Sequence, residues 1–470
     1  MNFDDIVYLA CLLFCIVFGS YYRKIKDDSV RKLAGTVFGI IIVFTVSGAH
    51  ILHCFVSFFI CAIIITQIHP TRCHLVSFVF MFGYLAFFRA TRFFGISPPP
   101  GHTNMIQMIL TLKIVGVAFE INSAYNKILQ RNRDLTSGDT QKLDAIKAIE
   151  ITDYDVEIQK LDMSELFHYC FNYIGVLTGP YYRYRTFRDY FETPFKDYAD
   201  CGNATTEKLK STALFSVLYL FANDIWPLSY AMEPQFYDRS FLYRLFYVWP
   251  TFFIFRMRIY TGLTLSECVC TNAGFGAYPE EADVGNGEGP RGQYLHFKRN
   301  PEKLKYNFYT IKNIDVYNTE TCWTFREAMK HWNICVQYWL AVNVYKRFPS
   351  KKFRTLVTLL ISSFWHGFYP GHYFCIMGAP FYVPVEDMYN SLIRKNAVGM
   401  KKNIINVLFW ISKFFAFSYL GISFQLLIFS EIWRYYSSVY HFGYLYYIVL
   451  LVVGIVIKNT RKKIKHGSEK

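Results

Sequence analysis

The sequence predicts an all-α polytopic membrane protein, and three observations support this fold class. Of its 470 residues, 53% are hydrophobic and 19% aromatic, and only 18% are charged. The apolar residues gather in long runs, several of them close to the roughly 20 residues that a membrane-spanning helix needs. Lysine and arginine stand at the ends of these runs. The positive-inside rule therefore explains the net charge of +15, and no nucleic-acid partner is expected.

The first 121 residues predict five membrane spans. They cover residues 6–22, 33–50, 51–68, 75–95 and 105–121. An acidic N-terminus without a basic n-region indicates that the first run is an anchor, not a cleaved signal. The basic stretch after it predicts a luminal N-terminus and a cytosolic first loop.

The most polar part of the chain, residues 122–162, allows two interpretations. Leu143, Ile146 and Ile149 recur at helical spacing, which favours a short interfacial helix, but a solvated loop explains the composition equally well. The apolar run 167–177 is about half a membrane thickness long. It ends at Gly179-Pro180, so we expect a re-entrant segment there.

Further spans are predicted after residue 200, which brings the total to about ten to twelve membrane segments. These runs cover residues 214–232, 241–263, 356–377, 404–429 and 444–457. The Gly- and acid-rich stretch 280–291 is expected to be an exposed loop. We predict one embedded domain, 1–470, with N-terminal spans (1–121), a polar loop (122–165), a helical core (166–457) and a basic, cytosolic tail (458–470).

Two polar residues stand out in apolar surroundings, Asn333 and His366. Polar and ionisable groups at membrane depth are costly and indicate a functional site by default. A basic segment between them predicts a surface turn that joins two helices. A packed histidine and a purely interhelical asparagine are the alternatives, but the Pro370-Gly371 break beside His366 favours a cavity.

A neutral imidazole can accept a proton and an amide can donate a hydrogen bond, which is the minimum for base-catalysed acyl transfer. We therefore take His366 and Asn333 as candidate catalytic residues. The candidate substrate-binding residues belong to the same two motifs: Gln337, Ser363, Trp365, Tyr369 and His372. We expect His372, six positions from His366, at the membrane surface. No metal-binding pattern and no serine-esterase GxSxG elbow occurs.

Several motifs together resemble the lysophosphatidylinositol acyltransferase branch of the membrane-bound O-acyltransferase family. They are Trp332-Asn333, Trp365-His366-Gly367, Thr178-Gly179-Pro180-Tyr181 and Gly274-Phe275-Gly276-Ala277-Tyr278-Pro279. The resemblance implies that family's fold, with short re-entrant or interfacial helices around a central chamber, and places the two site positions on Asn333 and His366. It implies an endoplasmic-reticulum enzyme in phospholipid remodelling.

The implied reaction moves a polyunsaturated, arachidonoyl-type chain from acyl-CoA, as cosubstrate, to the sn-2 hydroxyl of lysophosphatidylinositol. No permanently bound cofactor is implied. Another hydroxyl acceptor within the same family is the nearest alternative. A multi-pass transporter and a noncatalytic scaffold are the non-enzyme alternatives, and the absence of internal repeats speaks against the transporter.

Overall fold

The computed structural model describes residues 3–136 and 151–468, and it confirms the predicted all-α fold. The longer helices are Phe3–Tyr22, Asp28–Ser47, Ile51–Gln67, Cys73–Ala90, Gly101–Thr136, Cys201–Ile225, Val248–Asn272, Arg354–His366, Pro370–Tyr389, Gly399–Leu426, Phe429–Ser438 and Phe442–Ser468. The shorter helices are Asp153–Glu157, Met163–Phe171, Tyr184–Glu192, Phe195–Tyr198, Pro234–Tyr237, Phe241–Phe246, Val316–Thr321, Phe325–Lys330 and Ile334–Leu340. Two antiparallel pairs of very short strands complete the regular structure: Tyr278–Pro279 with Tyr306–Asn307, and Val284–Gly285 with Gly289–Pro290.

Six stretches of the described residues are long and apolar enough to cross a membrane. They are Phe3–Tyr22, Asp28–Gln67, Cys73–Phe94, Gly101–Asp134, Gly399–Leu426 and Phe442–Arg461. Asp28–Gln67 covers the predicted spans 33–50 and 51–68 except for residue 68. A short helical turn at Gly48–His50, at the end of the first predicted span, divides it into two helices. The apolar helix Ile334–Tyr345 is shorter. Three of the predicted runs, 214–232, 241–263 and 356–377, are not among these six stretches. In each of them the helix is interrupted: after Ile225, between Phe246 and Val248, and after His366.

The chain divides into two compact units. The first comprises Met1–Lys210, Gly262–Asn313 and Ile334–Arg347, and the second comprises Ser211–Thr261, Ile314–Asn333 and Phe348–Lys470. In the second unit, Pro370–Tyr389 packs against Arg354–His366, Gly399–Leu426 and Phe442–Ser468. This unit contains both Asn333 and His366.

The segment predicted as a polar loop, 122–165, is helical in much of its described part. The helix that begins at Gly101 continues to Thr136, well past the predicted end of the span at residue 121. Its polar residues are anchored: the Asn122 amide donates to Pro70 O over 2.9 Å, and Lys127 bonds Asp155 over 2.7 Å. The helical spacing of Leu143, Ile146 and Ile149 lies outside the described residues.

Irregular backbone follows the helix Met163–Phe171, where a re-entrant segment was predicted. It is buried within the first unit from Asn172 to Tyr182, except for the half-buried Thr178. A buried lysine, Lys113, contributes to holding this region. Its ammonium donates to Tyr169 O over 3.1 Å and to the Tyr182 hydroxyl over 2.9 Å. Protein groups therefore satisfy polar atoms that a regular helix would satisfy internally.

The stretch 280–291 is not the fully exposed loop that its composition predicted. Both pairs of short strands involve this region or its borders, and Ala282, Gly285 and Pro290 are buried. Just before it, the buried Tyr278 hydroxyl donates to Asp189 over 2.7 Å, and Tyr294 donates to the same carboxylate over 2.6 Å. Buried hydrogen bonds of this kind depend on distant partners, so composition alone missed them.

Candidate active site

His366 is the last residue of the helix Arg354–His366, not a residue inside a continuous span. The predicted run 356–377 is broken into two helices, and the second begins at Pro370. Tyr369 is extended (φ −65°, ψ 133°), as expected for a residue before proline. Pro370 fits the first helical turn because its missing N–H has no intrahelical partner there. The break therefore presents His366 at a helix end.

The His366 ring is half-buried among aromatic rings of the second unit. Its centroid lies 4.9 Å from the Trp365 ring and 5.3 Å from the Phe424 ring, both edge-on. It also lies 6.1 Å from the His372 ring. Edge-to-face packing at such distances restricts how the imidazole can turn.

His372, which the sequence predicted at the membrane surface, is buried within the second unit. Its side chain is 8% exposed, and its ring lies 4.7 Å from that of Phe424. The helix break is the reason, because the six-residue spacing no longer follows one helical axis. Gly367 leaves room for the ring: a Cβ on this residue would lie 2.7 Å from His372 Cε1.

Gly371 locks the second helix of this break against Gly399–Leu426. Its N–H donates to Leu427 O over 3.0 Å, and a Cβ at this position would lie 2.0 Å from Ser423 O. Only glycine permits two backbones to approach this closely.

The other predicted residues near His366 differ in what their side chains do. Ser363 is buried, and its hydroxyl donates to Leu359 O over 2.9 Å within its own helix. Trp365 is buried at 5% exposure. Tyr369 is exposed, with its ring 6.2 Å from that of His372. Of the three, Tyr369 is the one whose side chain reaches outward from the break.

Asn333 stands at a turn in the second unit, between the helices Phe325–Lys330 and Ile334–Leu340. It is half-buried and has a positive φ of 47°. Asparagine tolerates this left-handed conformation better than most residues, because its short polar side chain can bond locally. Asparagine at residue 333 therefore suits the left-handed backbone conformation that this turn requires.

The helix that carries Gln337 belongs to the first unit, and its start is fixed by Asn313. The Ile334 N–H donates to Asn313 O over 2.7 Å, and the Cys335 N–H donates to Asn313 Oδ1 over 3.1 Å. Glu267 in turn accepts from the Asn313 N–H over 2.7 Å. Gln337 is half-buried on this helix, and its role in substrate binding stays a prediction.

Sequence reasoning missed the charged residues that surround the segment before Asn333. Lys413 is fully buried in Gly399–Leu426, and Arg256 is buried in Val248–Asn272. Both contact Glu320 or its neighbours. A signal was present, since a lysine inside the predicted span 404–429 is as costly there as a histidine.

Glu386 caps the helix Phe325–Lys330 from Pro370–Tyr389. Its carboxylate accepts from the N–H groups of Phe325 and Arg326, the latter over 3.1 Å. Burial raises the pKa of Glu386 from 4.5 to about 7, although these hydrogen bonds act in the opposite direction.

A polar cavity of about 360 Å³ lies in the first unit, and none of the predicted site residues lines it. Its cations are paired with its carboxylates: Lys32 bonds Glu165 over 2.7 Å, and Arg188 contacts Glu157 over 2.7 Å and Glu192 over 2.8 Å. Among the described residues, no group of three or more His, Cys, Asp or Glu side chains could hold a metal ion.

Comparisons with known proteins agree with the motifs. Residues 100–429 match the model of the membrane-bound O-acyltransferase family. The chain is 59% identical, over 98% of its length and 94% of the relative's, to membrane-bound acylglycerophosphatidylinositol O-acyltransferase frj of Drosophila melanogaster. It is 34% identical to mboat7 of Xenopus laevis (100% and 98% covered) and 32% identical to human MBOAT7 (97% and 94%), both given the same enzyme name. This chain therefore belongs to the membrane-bound O-acyltransferase family.

Proposed function

We propose that the protein is a lysophospholipid acyltransferase. It transfers an acyl chain from acyl-CoA to the sn-2 hydroxyl of lysophosphatidylinositol in the endoplasmic-reticulum membrane, as part of phospholipid remodelling. Similarity over nearly the whole chain to relatives named acylglycerophosphatidylinositol O-acyltransferase supports the acceptor. The observation that carries the chemistry is the half-buried His366 at the last position of a helix that ends in a break, three residues before the exposed Tyr369.

The proposed step needs a base because a lipid hydroxyl is a poor nucleophile. An imidazole nitrogen of His366 takes the hydroxyl proton while the oxygen attacks the thioester carbonyl carbon. The C–S bond then breaks and CoA leaves as a thiolate, which takes up the proton from the imidazolium. Hydroxyl and thioester are thereby converted to ester and thiol, with no acyl-enzyme intermediate.

Asn333 is proposed to stabilise the charge that develops during this step. Its amide donates a hydrogen bond to the oxyanion or holds the imidazole in its working orientation. A donor aimed at an oxyanion in a water-poor site contributes about a hundredfold or more to the rate. The left-handed backbone of Asn333 fixes the direction from which its side chain starts.

The proposal also covers the acyl donor, the transferred chain and the residues that bind substrate. Acyl-CoA serves as cosubstrate, and arginine and lysine side chains bind its phosphates. The transferred chain is polyunsaturated, of the arachidonoyl type. Trp365, Tyr369, His372 and Ser363 are proposed to bind substrate near His366. Gln337 is also proposed to be a substrate-binding residue. Of these residues, Tyr369 is exposed and can therefore contact a lipid directly.

The test measures acyl transfer in microsomes with labelled acyl-CoA and a panel of lysophospholipids. We expect lysophosphatidylinositol to be the preferred acceptor, and His366→Ala and His366→Gln to abolish transfer. Both variants should elute from size-exclusion chromatography as the wild type does. Preference for another headgroup would replace the proposed acceptor, and normal transfer by both variants would remove His366 from the mechanism.

A further inference from the structure

A buried lysine on a membrane-spanning helix holds the segment that leads to Asn333. Lys413 has no exposed surface, and its ammonium donates to three backbone carbonyls, those of Thr319, Glu320 and Cys322, over 3.0, 3.0 and 2.8 Å. These carbonyls lie at the C-terminal end of the helix Val316–Thr321 or just beyond it. Such groups have no partner within their own helix, and a cation is favourable there.

The side chain of Glu320 is held from a second helix. Arg256 Nε donates to its carboxylate over 2.8 Å, and the Tyr260 hydroxyl donates to the same oxygen over 2.7 Å. The indole N–H of Trp410 adds a bond to Glu320 O over 2.7 Å. Both the side chain and the backbone of Glu320 are therefore fixed.

Two contacts connect the fixed residue Glu320 and its neighbours to the residues just before Asn333. The Tyr260 ring lies 5.6 Å from the ring of Trp332, the residue directly before Asn333. The Asp315 N–H donates to His331 O over 3.0 Å, so the two ends of the segment 315–331 are hydrogen-bonded to each other. The segment 315–333 thus has its ends tied together and its middle bound to Lys413 and Arg256.

We propose that Lys413, together with the Glu320–Arg256 pair, is a positioning group that holds Asn333 in its left-handed conformation for the reaction. The inference rests on the proposed function. Stability alone does not explain these charges, because apolar residues of similar volume are often as stabilising as a buried ion pair. An ammonium whose three bonds all go to one turn specifies where that turn sits.

The test compares Lys413→Met, which keeps the volume of the side chain, with Lys413→Arg, which keeps a donor. We expect Lys413→Met to lower kcat about tenfold with little change in KM, and Lys413→Arg to recover part of the loss. Amide hydrogen exchange of peptides within 315–333 should accelerate in the Met variant and less in the Arg variant. If Lys413→Met does not accumulate, Glu320→Gln serves as the second variant, with the same direction expected.

Lys113→Met is the matched control, because Lys113 is also a fully buried lysine bonded to a backbone carbonyl. It should leave exchange within 315–333 unchanged. Residues that act through one another give non-additive losses, so Lys413→Met should lower the residual kcat of Asn333→Gly by less than about twofold.

Unchanged exchange in both Lys413→Met and Glu320→Gln, or a full multiplicative loss in the Asn333→Gly background, would overturn the inference. Full activity of Asn333→Gly would instead refute the proposed role of Asn333. The exchange experiment does not depend on activity, so the two failures can be told apart.

Discussion

The imidazole rings of His366 and His372 lie 6.1 Å apart, with Phe424 packed against both. On one continuous helix their spacing would put them on different faces, about one and two-thirds turns apart. The break between His366 and Pro370 removes that constraint. His372 is therefore a buried neighbour of the proposed base.

Substitution of Asn333 separates the role of its amide from that of its backbone. Glycine adopts a positive φ without strain, whereas alanine costs about 1 kcal/mol there. We expect Asn333→Gly and Asn333→Ala both to lower kcat about a hundredfold, and only alanine to lower thermal stability as well. Kinetics and thermal unfolding of the purified variants check this. Near-normal turnover by the glycine variant would leave residue 333 with a conformational role only.

Gly367→Ala is expected to displace the His372 ring. The added Cβ would lie 2.7 Å from Cε1 and 2.9 Å from Nδ1 of a side chain that is almost fully buried. Overpacking of this kind costs about 1–3 kcal/mol, so the midpoint of thermal unfolding should fall.

The matched control for Gly367→Ala is the double variant Gly367→Ala/His372→Ala, which removes the ring that is struck. We expect it to be more stable than the sum of the two single losses predicts. If the losses of stability in Gly367→Ala and His372→Ala were strictly additive, the contact between a Cβ at residue 367 and the His372 ring would be contradicted.

Gly371→Ala should be more damaging than Gly367→Ala. Its Cβ would lie 2.0 Å from the backbone oxygen of Ser423, which cannot rotate away as a side chain can. We expect a loss above about 4 kcal/mol or a failure to accumulate in membranes. Gly262→Ala is the control, since nothing lies within 4 Å of its Cβ position in the helix Val248–Asn272. It should be neutral or slightly stabilising. Equal expression of both variants would contradict the packing at Gly371.

Glu386 predicts a pH dependence of stability. Because burial raises its pKa from 4.5 to about 7, the folded state binds this proton more tightly than the unfolded state does. The contribution of Glu386 to the free energy of unfolding is thus fully present below pH 4.5 and is lost as pH rises towards 7. The slope is at most about 1.4 kcal/mol per pH unit. Asp387 and Glu327 add to the rise, while the N–H groups of Phe325 and Arg326 oppose it.

Thermal unfolding of the wild type and Glu386→Gln between pH 5 and pH 8 measures this effect. We expect the stability of the wild type relative to the glutamine variant to fall as pH increases. A difference that stays constant across this range, or that grows in favour of the wild type at high pH, would contradict the raised pKa.

The sequence alone determined the helical membrane fold, the positions of the early spans and the two candidate site residues. These features depend on signals that act over a few residues, namely apolar run length, basic flanks, and proline and glycine breaks. The Pro370-Gly371 break was visible in this way, and so was the polar character of Asn333 and His366.

Only the tertiary structure decided that His372 is buried beside His366, that Asn333 is left-handed and that Lys413 holds the turn near Glu320. Lys413 and Thr319 are 94 residues apart in the chain, yet they share a hydrogen bond. Which distant carbonyl a buried ammonium reaches depends on how helices pack. Helix packing depends on many small contacts between residues that are far apart in the chain, so a local pattern of residues does not predict it.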